Sequence, residues 1–556
     1  MNLKITFIFA GMALAVLGTA NAQSARFTSF SYVGNDPRFN QQIDESSQYL
    51  NPVVAGFYPD PSVCRKDDTY YLANSSFGFF PGVPLFESKD LVSWQQVGHI
   101  LDRDSQLPLA GNHPSAGIFA PDIQYNERNK TFYMTTMNMG NFTVFFVKTK
   151  DPSEGWSEPI YFKQGGMDSS FFFDKNGKAY LVYTTRPFGG QNYPGEMAIH
   201  VNEFDVKGDS LCSDAVEIVR GGTDDVENPE WLEGPHIYRV GKYYYLMCAQ
   251  GGTGAGHTEV IFRSKDVYGP YECCPTNPIL AQQEVDSDYP VSSTGHADLI
   301  QTKEGDWYAV FLGCRPYKDD YYNTGRETFL LPLTWEDGWP RILPKGDAVP
   351  TVVNKAGLQT NVERPTGNFS YSTDFSGDKL DLCWVYLRNP KRECFHLDGD
   401  GLVIDALPTT IKGTDQVSAI FHRQHHTNFT ATTEVEFTPT EGNDLAGFVL
   451  FQDESHNTVF GKTVVDGKPA LTLRRTEKES SLNIATAFIG GEGKISLKIE
   501  GQGQYYTFSY SEDGISWQTL AQGVDATNLS THSAGGFICS MIGLYSTSSQ
   551  NRSSMK

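Results

Sequence analysis

A short aromatic run recurs five times in the first 310 residues: Thr69-Tyr70-Tyr71-Leu72, Thr131-Phe132-Tyr133-Met134, Lys178-Ala179-Tyr180-Leu181, Tyr243-Tyr244-Tyr245-Leu246 and Asp306-Trp307-Tyr308-Ala309. Each continues into further aromatic or β-branched residues, as Leu181-Val182-Tyr183 does, and so predicts a strand. The intervals of 62, 47, 65 and 63 residues match the length of a four-stranded antiparallel blade. Five copies predict a five-bladed β-propeller over residues 46–345. From Pro340 to Pro365 the chain is rich in proline and turn residues, which predicts a linker. Beyond it, polar and apolar residues alternate with period two, as in Thr433-Glu434-Val435-Glu436-Phe437. Strands of that pattern without a helical run predict a β-sandwich over residues 366–556. The expected fold is all-β, a propeller followed by a C-terminal sandwich.

Ionisable residues precede the repeated aromatics at a nearly constant distance. Asp60 and Asp122 lie 11 residues before Tyr71 and Tyr133, while Asp168, Glu233 and His296 lie 12 before Tyr180, Tyr245 and Tyr308. Taken singly, an Asp between prolines such as Asp60 is a turn former, and Glu233 a solvated surface residue. The shared register argues instead that all five open the innermost strands of their blades and converge at one end of the channel. Crowded carboxylates disfavour one another's charge, so their pKa values separate, which suits acid–base chemistry.

Composition narrows the function. Against 44 Lys+Arg stand 66 Asp+Glu, a net charge of −22, and no basic run offsets it. Nucleic-acid binding is excluded on electrostatic grounds. Lys4, the apolar stretch from Ile5 to Gly18 and the small-residue site Ala20-Asn21-Ala22 read as a signal peptide over residues 1–22. An exported, periplasmic or secreted product without a membrane span is expected. Nine cysteines are scattered without a CxxC pair, so zinc ribbons and thiol redox sites are not supported, although an oxidising compartment would allow a disulfide or two. The run Gly251-Gly252-Thr253-Gly254-Ala255-Gly256 lacks the Gly-Lys-Ser/Thr ending of a phosphate loop and reads as a pocket-side loop. Trp94 and Trp156 read as blade-packing rings.

Several segments together resemble glycoside hydrolase family 43, in its branch of β-xylosidases and α-L-arabinofuranosidases. They are Gly56-Phe57-Tyr58-Pro59-Asp60-Pro61-Ser62, Ala120-Pro121-Asp122, Glu233-Gly234-Pro235-His236, Gly295-His296-Ala297-Asp298 and Gly325-Arg326-Glu327-Thr328. The resemblance implies that Asp60 is the general base, Glu233 the general acid and Asp122 the third acid that tunes Glu233. It further implies that Arg326 and Phe77 bind the terminal sugar and that His296 lies at the propeller axis. It implies no required cofactor, and leaves room for a structural ion such as calcium at that axis. The expected activity is exo-acting, inverting release of terminal β-D-xylose or α-L-arabinofuranose from an oligosaccharide or polysaccharide. An endo-arabinanase, which needs an open cleft, and a non-catalytic sugar-binding propeller are the competing readings. Gly78-Phe79 replaces a Glu-Trp pair common in the β-xylosidase relatives, and the segment Gly536 to Gly543 follows the family's pocket loop only loosely, with Met541 in place of an aromatic contact.

Overall fold

The computed structural model describes residues 23–549 apart from 284, 360–361, 392 and 492. The expected signal peptide and the extreme C-terminus lie outside the described residues. Among the described residues strand follows strand almost throughout, and the longest α-helical segment spans only Thr531–Ala534. No helix among the described residues is long and apolar enough to cross a membrane.

Five antiparallel sheets succeed one another along the chain. Blade one is built from Ser62–Lys66, Thr69–Ala73, Gly82–Ser88 and Gln95–Leu101, and blade two from Ile118–Asn126, Thr131–Asn138, Thr143–Thr149 and Ile160–Tyr161. Met167–Phe173, Glu233–Val240 and Ser292–Gln301 open blades three, four and five. Each repeated aromatic lies on the second strand of its blade, as the pattern predicts. Blade five has three strands of its own, and the segment ahead of blade one completes it: Val54 and Thr328 exchange both backbone hydrogen bonds at 3.1 Å. Joining the two ends of the chain segment in this way closes the ring and removes an exposed sheet edge. Trp94 and Trp156 are buried between strands, as expected.

The sandwich has two sheets packed over one large apolar core. Its first sheet contains a strand that the domain boundaries at 46 and 366 leave out. Ser24–Gly34 pairs with Leu402–Asp405 on one side and Asn428–Glu436 on the other, so the N-terminal segment belongs to the C-terminal domain. The second sheet runs from Ser480–Phe488 through Met541–Thr547 to Val385–Leu387, which pairs with Phe79–Phe80 of the propeller. Phe79 is therefore buried in the joint between domains and does not reach the pocket. The departure at Gly78-Phe79 serves docking of the sandwich. Gly78 N donates to Pro114 O, and a Cβ at Gly78 would lie 2.9 Å from Pro114 Cα. Met541 likewise packs in the joint rather than in the pocket.

Arg315 ties the domains together. Its guanidinium donates to Asp36 Oδ2 at 2.7 Å, to both carboxylate oxygens of Glu327 and to His425 O, all in the interior. Cys64, Cys212, Cys248, Cys273, Cys274, Cys314, Cys383 and Cys539 are free thiols.

Candidate active site

A cavity of about 560 Å³ opens at one end of the propeller channel. Asp60, Asp168, Glu233, His296 and Arg326 face into it, with Phe77 as a wall. Asp122 does not. The strands explain why. Ser62, Asp122, Ser170, His236 and Asp298 pair across their hairpins with Ala73, Thr135, Val182, Met247 and Val310, each two residues past the repeated aromatic. These five are structural equivalents. Two residues ahead of each sits a residue of positive φ: Asp60 at 51°, Ala120 at 31°, Asp168 at 51°, Gly234 at 57° and His296 at 49°. That bulge turns the chain from the channel wall into the pocket. The hairpin of blade two is two residues longer than that of blade one, since Asn126 pairs with Thr131 where Lys66 pairs with Thr69. Counting back from Tyr133 therefore selects Asp122, whereas the residue equivalent to Asp60 is Ala120.

Asp122 lies one layer deeper and helps to plug the channel. Its Oδ2 accepts from Phe171 N at 2.8 Å and its Oδ1 from Gln124 Nε2 at 3.0 Å. Ser62 Oγ donates to Asp298 Oδ2 at 3.0 Å, and the Tyr238 hydroxyl to Asp298 Oδ1 at 2.6 Å. His236 Nδ1 stands 3.6 Å from Asp122 and 3.8 Å from Asp298. Burial, with a smaller push from Asp298, raises the Asp122 carboxyl to about 6 against the pull of His236. This packed layer makes the pocket a dead end.

Within the pocket the acids differ sharply. Burial pushes the Asp60 carboxyl up, but Arg326, His296 and the Ser75 hydroxyl more than offset it and hold it below the ordinary carboxylate range. Arg326 donates to Asp60 Oδ1 at 2.8 Å and Ser75 Oγ to Asp60 Oδ2 at 2.5 Å, while His296 Nδ1 is 3.9 Å away. Glu233 is raised well above its ordinary value by burial, then by the negative charges of Asp168 and Asp60. Asp168 is itself raised, chiefly by burial, and its Oδ2 accepts from Gly234 N at 3.2 Å. That bond fixes the strand start that carries Glu233. Gly234 is required there, because a Cβ would sit 3.1 Å from His296 Nε2 in addition to the left-handed backbone.

The sandwich supplies one wall. Phe537 stacks on Phe77 with centroids 6.0 Å apart and meets Phe119 at 5.5 Å. Its backbone N donates to Ser115 Oγ at 3.0 Å and its carbonyl accepts from Arg326 at 3.2 Å. An apolar rim over a floor of three carboxyl groups, an arginine and a histidine suits a sugar, which presents C–H faces and hydroxyls together. The acid pair suits protonation on one side and deprotonation on the other.

The sequence profile of Glycosyl hydrolases family 43 matches residues 49–340, and that of the Beta xylosidase C-terminal Concanavalin A-like domain matches residues 372–555. The chain belongs to glycoside hydrolase family 43. It is 37% identical over 509 residues to a xylosidase/arabinosidase of Butyrivibrio fibrisolvens, covering 90% of this chain and 95% of that protein. It is 35% identical over 512 residues to a non-reducing end α-L-arabinofuranosidase of Bacteroides ovatus, covering 90% and 91%. Among solved structures, a family 43 protein retrieved from a capybara gut metagenome superposes with a TM-score of 0.88 at 39% identity, covering 95% of this chain and all of that one. A xylan β-1,4-xylosidase from Bacillus halodurans superposes with a TM-score of 0.82 at 29% identity, covering 91% and 97%. The family 43 chain is thus a glycoside hydrolase with the two-domain plan of these relatives.

Sequence reasoning left three parts of this family 43 site without their roles. Asp168 stood among the five ionisable residues but not as a partner of Glu233. Phe537 falls in the segment that reads as a pocket loop, but Met541 stood there as the contact, and Trp231, outside the repeat, carries no signal. The Gly251–Gly256 run does lie at the pocket, where Gly252 and Thr253 line it.

Proposed function

We propose that this chain is an exo-acting, inverting glycosidase that releases one terminal pentose, β-D-xylose or α-L-arabinofuranose, from hemicellulose fragments. The observation that carries this reading is a dead-end pocket holding one carboxyl below its ordinary pKa and one well above it. Glu233, protonated at neutral pH, donates its proton to the glycosidic oxygen as the C–O bond breaks. Asp60, ionised, takes a proton from the water that attacks the anomeric carbon from the opposite face. Asp168, in place of Asp122, keeps Glu233 protonated and fixes its backbone. A carboxyl separation of about 6.5–9.5 Å, with room for that water, belongs to the inverting pathway. The closed channel and the Phe537 wall favour a chain end over an open polysaccharide, which argues against the endo reading.

Asp122, His236 and Asp298 each offer one ligand atom, all within 4.8 Å of one another. Two carboxylates and an imidazole suit a divalent transition metal better than calcium, which prefers an all-oxygen shell. We place any axial ion there and not on His296, whose Nδ1 faces Asp60; it would balance charge beneath the pocket. Metal analysis after dialysis against a chelator tests this, and full thermal stability without bound metal rejects it. Export is proposed from residues 1–22, and an N-terminus other than Gln23 on the protein recovered from its native host would refute that cleavage.

Hydrolysis of 4-nitrophenyl β-D-xylopyranoside and α-L-arabinofuranoside, with the released anomer followed by NMR, tests the main reading. Release of inverted sugar from either supports it. Retention of configuration, or no release from either, overturns it.

A further inference from the structure

Trp231 stands two residues ahead of Glu233, lines the pocket and is 42% exposed. Trp94, Trp156, Trp339 and Trp384, by contrast, are each buried to 7% exposure or less. Trp517, in a sandwich hairpin, is 39% exposed as well, and what sets Trp231 apart is its place on the pocket wall beside the acid, where a half-exposed ring can still bury its face against a ligand.

The backbone holds it there deliberately. Trp231 has φ of 53°, a left-handed conformation that costs a non-glycine residue about 1–2 kcal/mol. Trp231 N donates to Gly195 O at 2.9 Å, and Gly251 N donates to Glu230 O at 2.9 Å. The next residue, Leu232, is fully buried in the core shared by blades three and four. The left-handed turn therefore sends Leu232 inward and Trp231 out to the rim. Gly252 comes close to the indole, and a Cβ there would lie 3.2 Å from Trp231 Cδ1. The glycine-rich loop thus leaves space for a ring braced from that side and open towards the pocket.

Chemistry fixes which side of the scissile bond this is. The group that protonates the glycosidic oxygen must stand next to the departing sugar, and Glu233 is that group on the reading above, on which this inference rests. The Phe77, Phe119 and Phe537 wall gathers around Arg326 and Asp60, at the other partner of the reaction. We propose that Trp231 is the platform for the first sugar of the leaving group, its indole face meeting the C–H face of a pyranose ring. Trp231 then sets specificity: it favours pentosides carried on a sugar over those with a small leaving group.

The test compares two substrates with the same terminal pentose, the pentosyl fluoride and the pentosyl-xylose disaccharide, in wild type, Trp231→Ala and Trp231→Phe. The ratio of kcat/KM on the disaccharide to that on the fluoride is expected to fall about tenfold in Trp231→Ala, mostly through KM, and to recover in part in Trp231→Phe. An unchanged ratio overturns the proposal, even where both activities drop together. In a Glu233→Gln background, titration calorimetry should show Trp231→Ala or Trp231→Phe weakening the disaccharide more than the free pentose, and equal weakening also overturns it. A wild type that cleaves neither substrate would sink the glycosidase reading instead, and the calorimetry would still judge the platform.

Discussion

Asp168→Asn separates the two acids that sequence spacing could not tell apart. Asn keeps an oxygen able to accept from Gly234 N, so the geometry at Glu233 is retained while the negative charge is lost. Two unit charges about 6 Å apart at an effective dielectric constant of about 20 repel by roughly 2.8 kcal/mol, or about two pKa units. Burial is the larger cause of the raised Glu233 pKa and remains in the variant. Glu233 should therefore fall by about one to two units without reaching the ordinary glutamate value. Its protonated form is the active one, so activity is lost as pH rises through its pKa. Asp60 acts ionised, so activity is lost as pH falls through its lowered pKa. The assay is kcat/KM against pH on a substrate whose leaving group needs protonation. The alkaline limb should move to lower pH by about one to two units while the acid limb stays nearly in place. Above the new limb, activity at fixed pH drops about 10–100-fold. Asp122→Asn, one layer down, should lower thermal stability and leave the alkaline limb where it is. A stationary limb in Asp168→Asn, or an equal shift in Asp122→Asn, would refute the assignment.

Glu233→Gln should cut turnover of oligosaccharides by about 10²–10⁴-fold and much less for an aryl glycoside with a strongly acidic phenol, with sugar binding kept by calorimetry. Phe537→Ala removes a ring that touches Phe77, Phe119 and Arg326, and kcat/KM should fall about tenfold; no change would mean that the sandwich wall does not meet the sugar. Arg315→Leu leaves the carboxylates of Asp36 and Glu327 buried without their cation, and should cost about 3–5 kcal/mol in denaturant unfolding. A loss below about 1 kcal/mol would show that the domain joint does not depend on that network.

The residues by themselves determined the architecture and most of the chemistry. Period-two strands and a recurring aromatic need only local pattern to be read, because side chains alternate along every strand whatever surrounds it. The motifs around Asp60, Glu233, His296 and Arg326 carried those four residues to the pocket directly. Tertiary structure decided what depends on register and on partners distant in sequence. Asp122 and Asp168 changed places because hairpin length varies between blades, and each bulge shifts which residue leaves the channel wall. Ser24–Gly34 looks like any strand until Asn428–Glu436 is found beside it, 400 residues away along the chain. Phe537 and Trp231 carry no periodic signal. They matter only because a sandwich loop and a left-handed turn bring them to the rim of a pocket that the repeat had already formed.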